Sequence, residues 1–133
     1  MVTKSNKKYT HALGRRKSAI ARIKLFIGKE ISTVNTKNVD IYFPTTHTFL
    51  NKPFAVTKTE GKYYFDAKII GGGVEGQREA LTLAIARALK KIDVDYTLNL
   101  RQAGLLTVDS RVRERRMIGT GGKARRQKQS PKR

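Results

Sequence analysis

The sequence predicts a small α+β fold of two layers, a small sheet with helices on one face, followed by a long basic C-terminal extension. Three observations predict this class. Residues 18–27 and 63–70 alternate apolar and polar side chains, which is typical of strands. Residues 75–91 instead repeat apolar side chains at helical spacing. A shorter strand lies between these two strands in the sequence, and a shorter helix follows the main one. The order along the chain is therefore strand, strand, strand, helix, helix.

The first predicted strand covers residues 18–27 and has one apolar face and one partly basic face. The apolar positions are Ala19, Ala21, Ile23, Leu25 and Ile27, and the others are Ile20, Arg22, Lys24 and Phe26. A strand of this kind lies half-buried, with its basic residues on the second face. Residues 28–30 predict a turn, and residues 31–34 predict a strand that returns beside the first.

The middle of the chain predicts short helical segments and then a second long strand. Residues 39–43 predict one helical turn that ends before Pro44, because the residue preceding a proline disfavours the helical conformation. Residues 45–50 predict another turn, and Pro53 is expected to limit regular structure there. Residues 63–70 form the clearest strand pattern. Its two faces carry Tyr63, Phe65, Ala67 and Ile69, and Tyr64, Asp66, Lys68 and Ile70.

The strongest predicted helix covers residues 75–91. Its apolar face consists of Ala80, Leu81, Ala84, Ile85, Ala88 and Leu89. Glu75 and Glu79 near its start, and Lys90 and Lys91 at its end, suit the helix dipole.

The last third of the chain predicts one shorter helix and then a scarcity of apolar residues. Asp95 can cap a helix that continues to Gln102 and ends at Gly104. Residues 111–116 predict a further helical segment. From residue 119 onward the composition is that of a disordered tail.

Positive charge is concentrated at the two ends of the chain. Residues 1–29 carry nine Lys or Arg and no acid, and residues 111–133 carry ten Lys or Arg and one acid. Residues 30–110 hold ten basic and nine acidic residues, so the three net charges are +9, +1 and +9. This distribution predicts a polyanionic partner, above all nucleic acid. The chain is therefore predicted to have three parts: a basic extension over 1–10, a globular RNA-binding domain over 11–110 and an extended basic tail over 111–133.

Composition argues against several other classes. There is no Cys, so disulfides and thiolate metal sites are excluded. No apolar run approaches the roughly 18 residues that span a bilayer. The N-terminal residues contain no hydrophobic stretch, so a secretory signal is not expected there. The tail lacks the large apolar residues of a membrane-binding basic helix. His11 and His47 are isolated, so neither a metal site nor a catalytic set is predicted.

A glycine-rich turn over residues 71–77 joins the second long strand to the main helix. One interpretation is a tight turn that only glycine fits. A second interpretation is an RNA-binding site at Gly72 and Gly73. Because glycine has no side chain, an RNA phosphate could come close to the backbone there, and the N–H groups at the start of the helix could hold it. A nucleotide-binding enzyme is the third. It has little support because the Lys-Ser/Thr pair of a P-loop and the dinucleotide-binding context are absent.

Two groups of cations are candidate phosphate-binding residues. Arg15, Arg16 and Lys17 stand just before the first predicted strand with no acid nearby. A solvated loop is the alternative interpretation, but Arg can bind phosphate with two parallel hydrogen bonds. The tail cannot form a packed core and is expected to release counterions when it binds phosphates. Its candidate residues are Arg111, Arg115, Arg116, Lys123, Arg125, Arg126 and Lys128.

Several blocks of the sequence occur together in a specific order. They are GRRKSA at 14–19, GGGVEGQ at 71–77, ARAL at 86–89, LRQAGLLT at 100–107, DSRVRER at 109–115 and KARR at 123–126. Each block alone is weak, whereas the ordered set is specific. Over about residues 11–133 the chain resembles small-subunit ribosomal protein nine of the bacterial type.

The resemblance implies a structural, non-enzymatic protein in the head of the small ribosomal subunit, with no cofactor and no small-molecule substrate. It implies a fold similar to the second domain of ribosomal protein five, with a left-handed crossover, and a place in the cytoplasmic bacterial ribosome rather than an organellar one. The implied partners are small-subunit (16S-type) ribosomal RNA, neighbouring head proteins and P-site transfer RNA. Lys132 and Arg133 would reach the anticodon stem-loop, although Pro131 precedes them and the family's usual aromatic residue is missing.

Two other functions stay open at this level. A free architectural protein would bind many nucleic acids on its own rather than co-sediment with one particle. A phosphotransfer enzyme built on the glycine turn would need an acid and a metal beside that turn, where Asp66 and Glu75 are the nearest acids. Saturable nucleotide binding by the isolated chain would favour the enzyme.

Overall fold

The computed structural model describes residues 7–45 and 47–121. Its strands are β1 (Thr10–Arg16), β2 (Ala19–Ile27), β3 (Thr33–Val34), β4 (Lys37–Asn38) and β5 (Tyr63–Ile70). Its helices are α1 (Val39–Tyr42), α2 (His47–Leu50), α3 (Lys52–Val56), α4 (Val74–Ile92) and α5 (Tyr96–Gln102). The described strands form one sheet in the order β1-β2-β5-β3-β4. A small mixed sheet with helices is consistent with the predicted α+β class.

The two long predicted strands are confirmed as β2 and β5. They pair antiparallel, from Ile20 opposite Ile70 to Ile27 opposite Tyr63. The apolar face of β2 is buried except for Ile27, which is exposed at the end of the strand. On β5, Tyr64 is buried although it belongs to the second face, because its ring stacks on the Phe26 ring of β2.

The sequence pattern did not predict β1. This strand pairs antiparallel with β2 through a turn at Lys17 and Ser18. Its alternation is interrupted by Gly14, where an added Cβ would overlap the carbonyl oxygen of Ala80 and lie 2.7 Å from the nitrogen of Ala84. Glycine therefore allows β1 to lie close against α4. Arg15 and Arg16, which the sequence pattern placed just before the first strand, are themselves part of a strand.

The predicted return strand over residues 31–34 is wrong in its extent and in its partner. Only Thr33–Val34 forms a strand, and it lies parallel to β5, with Thr33 opposite Asp66 and Val34 opposite Ala67. The place beside β2 belongs to β5, whose eight residues offer a full ladder and an apolar face. The two residues of β3 could not replace that ladder.

The short helices α1 and α2 stand where helical turns were predicted, but α3 was not expected. Pro53 lies in the first turn of α3. A proline is tolerated there because the first N–H groups of a helix have no partner within the helix. The hydroxyl of Thr57 donates to the carbonyl oxygen of Pro53 at 3.0 Å and closes the C-terminal end of the segment.

The main predicted helix is confirmed, and α4 is one residue longer at each end than expected. All six residues of its predicted apolar face are buried. The shorter helix α5 follows Asp95, whose side chain makes no capping hydrogen bond, and it ends before Gly104, which has φ +73°. The predicted helix over residues 111–116 is absent. Its cations repel each other at i,i+4 spacing, and it has no apolar face to bury.

The core lies between one face of the sheet and the helices. Helix α4 lies across β1 and β2, and residues of the shorter helices complete the same cluster. Its largest fully buried side chains are Ile23, Leu25, Val34, Phe43, Leu50, Pro53, Thr59, Leu81, Ile85, Leu89 and Leu100. In the described part of the chain, no helix covers the other face of β1, β2 and β5. Across the described residues, none of the helices combines the length and the apolarity needed to cross a bilayer.

Candidate nucleic-acid interface

The face of the sheet opposite α4, here called the open face, carries an excess of positive charge. Because side chains alternate along a strand, the burial of Ala21, Ile23 and Ala67 places their polar neighbours on this face. Its exposed ionic residues are Arg15, Arg22, Lys24, Asp66 and Lys68. Four cations therefore accompany a single acid.

Two cations of the open face stand directly opposite each other. Arg22 of β2 pairs in register with Lys68 of β5. Lys24 is instead opposite Asp66, whose carboxylate also accepts a hydrogen bond from the Thr33 hydroxyl at 3.0 Å. Like charges at directly opposed positions of an antiparallel pair are destabilising. The Arg22–Lys68 pair is thus unfavourable in the isolated chain and becomes favourable when an anion contacts both.

A row of three aromatic rings lies at one end of the open face. The ring centroids of Tyr9 and Phe26 are 5.7 Å apart, and those of Phe26 and Tyr64 are 5.1 Å apart with the rings stacked. Tyr9 is 52% exposed, and the Lys24 Nζ lies 5.0 Å from its ring centroid. An exposed ring beside a cation can stack on an unpaired base while the cation contacts phosphate.

Two turns meet at the opposite end of the open face, and together they form what we call the turn end. One is the β1–β2 turn at Lys17 and Ser18; the other is the glycine turn, where Gly71 and Gly72 have φ of +74° and +70°. A Cβ added to Gly71 would lie 2.6 Å from the carbonyl oxygen of Ser18, and one added to Gly72 would lie 2.8 Å from the Cβ of Ala19. Glycine is therefore required at both positions for backbone conformation and for close approach.

Gly73 differs from the two glycines before it. It is the N-cap of α4, its φ is −94°, and nothing lies within 4 Å of an added Cβ. Its carbonyl accepts the first backbone hydrogen bond of the helix, from Gln77 N at 2.9 Å. The first N–H groups of a helix have no partner within the helix and favour anions. The exposed start of α4 therefore lies close to the β1–β2 turn, which carries Lys17, and it has the chemistry that a phosphate contact requires.

Arg16 points away from the open face, and its side chain is only 11% exposed. Its Nε donates to the Glu79 carboxylate of α4 at 2.5 Å, and its Nη1 donates to the Arg111 carbonyl oxygen at 2.5 Å. Its Nη2 lies 3.5 Å from the Asp109 carboxylate. The guanidinium that was predicted to bind phosphate thus has three partners within the chain. It ties the segment after α5 to the end of β1.

Asp109 holds that segment in a compact turn. Its carboxylate accepts hydrogen bonds from the backbone N–H of Arg111 at 3.0 Å and from the Nη2 of the same residue at 2.7 Å. These hydrogen bonds, together with the charges of Arg111 and Arg16, hold the pKa of Asp109 well below its usual range. The Arg111 side chain nevertheless stays 85% exposed. The basic tail therefore leaves the fold at the turn end.

A comparison of the whole sequence with protein families agrees with this cationic surface. A model of the family described as Ribosomal protein S9/S16 matches residues 14–133. The chain belongs to the ribosomal protein S9/S16 family. It is accordingly a structural constituent of the ribosome, and its partners are ribosomal RNA and the surrounding ribosome. Ribosomal protein families are typically not enzymes, and the family resemblance inferred from the sequence motifs is confirmed.

The exposure of each predicted site residue determines whether it can contact RNA in this S9/S16 family member. Arg15, Lys17, Gly72 and Gly73 are exposed at or near the turn end. Arg111, Arg115 and Arg116 are also exposed, in a segment without helix or strand. The remaining predicted site residues lie outside the described residues and stay predictions: Lys123, Arg125, Arg126, Lys128, Lys132 and Arg133.

The predicted site residues did not include three cations of the open face, Arg22, Lys24 and Lys68. The signal was present, because each occupies a polar position of an alternating strand. Within the described residues no group of three or more His, Cys, Asp or Glu side chains could hold a metal ion. Glu75, one of the acids required by the phosphotransfer interpretation, pairs with Arg78 at 2.6 Å. Asp66, the other, accepts the hydrogen bond from Thr33.

Proposed function

We propose that this ribosomal protein is a structural component of the small-subunit head, where the open face and the turn end bind small-subunit (16S-type) ribosomal RNA. The observation that carries the proposal is the Arg22–Lys68 pair, two exposed cations in register on neighbouring strands. A phosphate that contacts both removes the repulsion and gains two charge-assisted hydrogen bonds. The assignment to the small-subunit head rests on the resemblance of the sequence motifs.

Recognition on the open face is directed at the RNA backbone and its shape. Lys and Arg contacts to phosphate fix the position of a protein on nucleic acid but carry no sequence information. Tyr9 adds a stacking surface for an unpaired base, which any of the four bases can use. The protein therefore stabilises a folded RNA junction rather than selecting a base sequence.

The turn end and the tail supply the second set of contacts. Arg15, Lys17 and the N–H groups near Gly72 and Gly73 bind phosphate close to the point where the tail begins. Arg16 contributes by positioning the Asp109–Arg111 turn. The tail cations then neutralise phosphates where RNA helices pack closely: Arg111, Arg115, Arg116, Lys123, Arg125, Arg126 and Lys128. At the end of the tail, Lys132 and Arg133 contact the anticodon stem-loop of P-site transfer RNA.

The same proposal covers the organisation of the chain. Residues 1–10 form a basic N-terminal extension, residues 11–110 a globular RNA-binding domain, and residues 111–133 an extended tail. The parallel pairing of β3 with β5 supports a split sheet similar to the second domain of ribosomal protein five, with a left-handed crossover. The protein acts in the bacterial cytoplasmic ribosome, where it supports translation beside neighbouring head proteins.

The test removes the charge of the open face and leaves the core intact. A variant with Arg22→Ala, Lys24→Ala and Lys68→Ala should bind small-subunit ribosomal RNA more weakly than the unmodified chain. Affinity titrations at several salt concentrations should show a flatter slope, by about 0.9 for each phosphate that the variant no longer neutralises, if the duplex-DNA value holds for folded RNA. A tagged copy of the variant should also sediment less completely with the small subunit.

A matched control separates a specific face from overall charge. The variant Lys37→Ala, Lys52→Ala, Lys90→Ala removes the same number of charges at exposed positions away from the open face. Lys52 and Lys90 belong to helices on the other side of the sheet, and Lys37 is opposite the buried Val34. It should keep both the salt slope and the sedimentation of the unmodified chain. Equal effects of the two variants would refute a specific RNA-binding face. Sedimentation apart from the subunit, with equal binding to unrelated RNAs, would support a free architectural protein instead.

A further inference from the structure

A cavity of about 490 Å³ opens at the end of β5 that lies away from the turn end. Its floor is apolar and includes Val39, Leu50, Phe54 and Phe65. Asp40 and Glu60 contribute its charged lining, and none of its described lining residues is a Lys or Arg. We call it the acidic cavity.

The two acids of the acidic cavity are among those that form no ion pair in the described part of the chain. Four other acids each form an ion pair with a Lys or Arg, namely Glu30, Glu75, Glu79 and Asp109. In the described part of the chain no such pair involves Asp40 or Glu60, and both side chains are exposed. In a chain with a net charge of +19, an unpaired acidic position at the mouth of an apolar cavity favours a cation from another molecule.

The acidic cavity is separated from the proposed RNA-binding surface in two ways. It lies on the helix side of the sheet, because Phe65 and the apolar residues of α1, α2 and α3 line it, whereas the cations of the open face point to the other side. Along β5, Tyr63 lines the cavity and Ile70 precedes the glycine turn, so the two ends are about 23 Å apart at about 3.3 Å per residue. RNA bound to the open face would therefore leave the cavity uncovered.

We propose that the acidic cavity is a docking site for a segment of a neighbouring ribosomal protein that inserts an apolar side chain next to Lys or Arg. This inference rests on the proposed function and specifies the surface that its protein neighbours use. The apolar floor gains from burying an apolar side chain, and Asp40 and Glu60 pair with the flanking cations. The same two carboxylates repel phosphate, so RNA is disfavoured as the occupant. The rim residue Ile31, which is 71% exposed, extends the apolar contact surface.

The test places a benzophenone photocrosslinker at Ile31 of the full chain, in small subunits assembled in cells. Irradiation should crosslink it to another protein, and mass spectrometry should locate the crosslink in a segment with an apolar residue next to Lys or Arg. Adding Asp40→Asn and Glu60→Gln should lower the yield of that crosslink several-fold. Adding Asp95→Asn and Glu114→Gln, two exposed acids without an ion pair in the described part of the chain, should leave the yield unchanged.

A second crosslinker position separates the failure of this inference from the failure of the proposed function. A crosslinker at Ile70, an exposed apolar position on the same side of β5 as Lys68, should react with ribosomal RNA whatever the state of Asp40 and Glu60. If the crosslinker at Ile70 reacts with RNA but the one at Ile31 reacts with RNA, with this chain's own ends or with nothing, the docking site is refuted and the RNA-binding face stands. The same holds if neutralising the two acids leaves the yield at Ile31 unchanged. If the chain does not sediment with the subunit and the crosslinker at Ile70 captures no RNA, the proposed function itself fails.

Discussion

Arg15 and Arg16 are neighbours in the sequence but face opposite sides of β1. Arg15 is exposed on the open face, whereas Arg16 is held by Glu79, Asp109 and the carbonyl oxygen of Arg111. The alternation of side chains along a strand causes this difference. A group of cations that looks uniform in the sequence therefore divides into a surface contact and an internal link.

This division predicts different effects of two matched substitutions. Arg16→Ala should destabilise the isolated chain by about 1–3 kcal/mol, because it leaves the Glu79 carboxylate and the Arg111 carbonyl without their donor. Arg15→Ala should keep the melting temperature and lower RNA affinity. Thermal unfolding without RNA, followed by RNA titration, measures both quantities. The same melting temperature for the two variants would contradict the assigned role of Arg16.

Asp109 predicts a dependence of stability on acid pH. Its pKa is lower in the folded chain than in the unfolded one, so its contribution is fully present above the ordinary aspartate pKa of about 3.9 and disappears as pH falls through the folded value. Urea midpoints measured from pH 6 downward should therefore decrease below about pH 4. Asp109→Asn should lower the midpoint near neutral pH and weaken this dependence, whereas Asp95→Asn should not. A parallel pH profile for Asp109→Asn and the unmodified chain would rule this contribution out.

At the scale of elements, the sequence predicts what a segment's own pattern determines. The strands β2 and β5 and the helix α4 bury long regular faces, so their alternation or helical spacing is strong. The edge strand β1 was missed because Gly14, whose role depends on contact with α4, interrupts its pattern. The roles of Arg16 also depend on distant residues, since its partners Glu79 and Arg111 lie 63 and 95 positions along the chain. Local patterns carry no information on such long-range partners.

The glycine turn is the element where two interpretations can now be separated. Gly72→Val should lower the melting temperature of the isolated chain, because it combines a positive φ with a close approach to Ala19. Gly73→Ala is the control, since its backbone is unstrained and the space around it is open. It should leave the melting temperature nearly unchanged. If Gly72→Val stays as stable as the unmodified chain but binds RNA more weakly, the glycine serves phosphate approach rather than the turn.

At the scale of the whole molecule, three surfaces lie at different places on one small fold. The open face carries cations, the turn end joins Lys17 to the beginning of the tail, and the acidic cavity lies at the far end of β5 on the helix side. The alternation of the two long strands indicated that one side of the sheet carries basic residues, and the cations at residues 15–17 indicated the turn end. The acidic cavity could not be predicted, because Asp40 and Glu60 line the same cavity only after α1 and the segment before β5 fold together.

The end of the tail allows a test at the same scale. Deletion of residues 131–133 leaves eight of the ten tail cations, so subunit assembly should stay near normal. The affinity of P-site transfer RNA should decrease by about 1–3 kcal/mol if the deletion removes two charge-assisted hydrogen bonds. Filter binding of transfer RNA to purified subunits with and without the deletion measures this difference. Equal affinities would show that Lys132 and Arg133 do not contact transfer RNA.

The opposed pair Arg22 and Lys68 also has a consequence for the supply of this protein in the cell. On the proposed function, the folded chain is more stable with RNA than without it, because binding to the folded state alone shifts the unfolding equilibrium. A copy made in excess of its RNA would unfold more often and would be the better substrate for proteases. The amount of the protein would then follow the amount of its RNA, with no dedicated regulator, because surplus copies are removed.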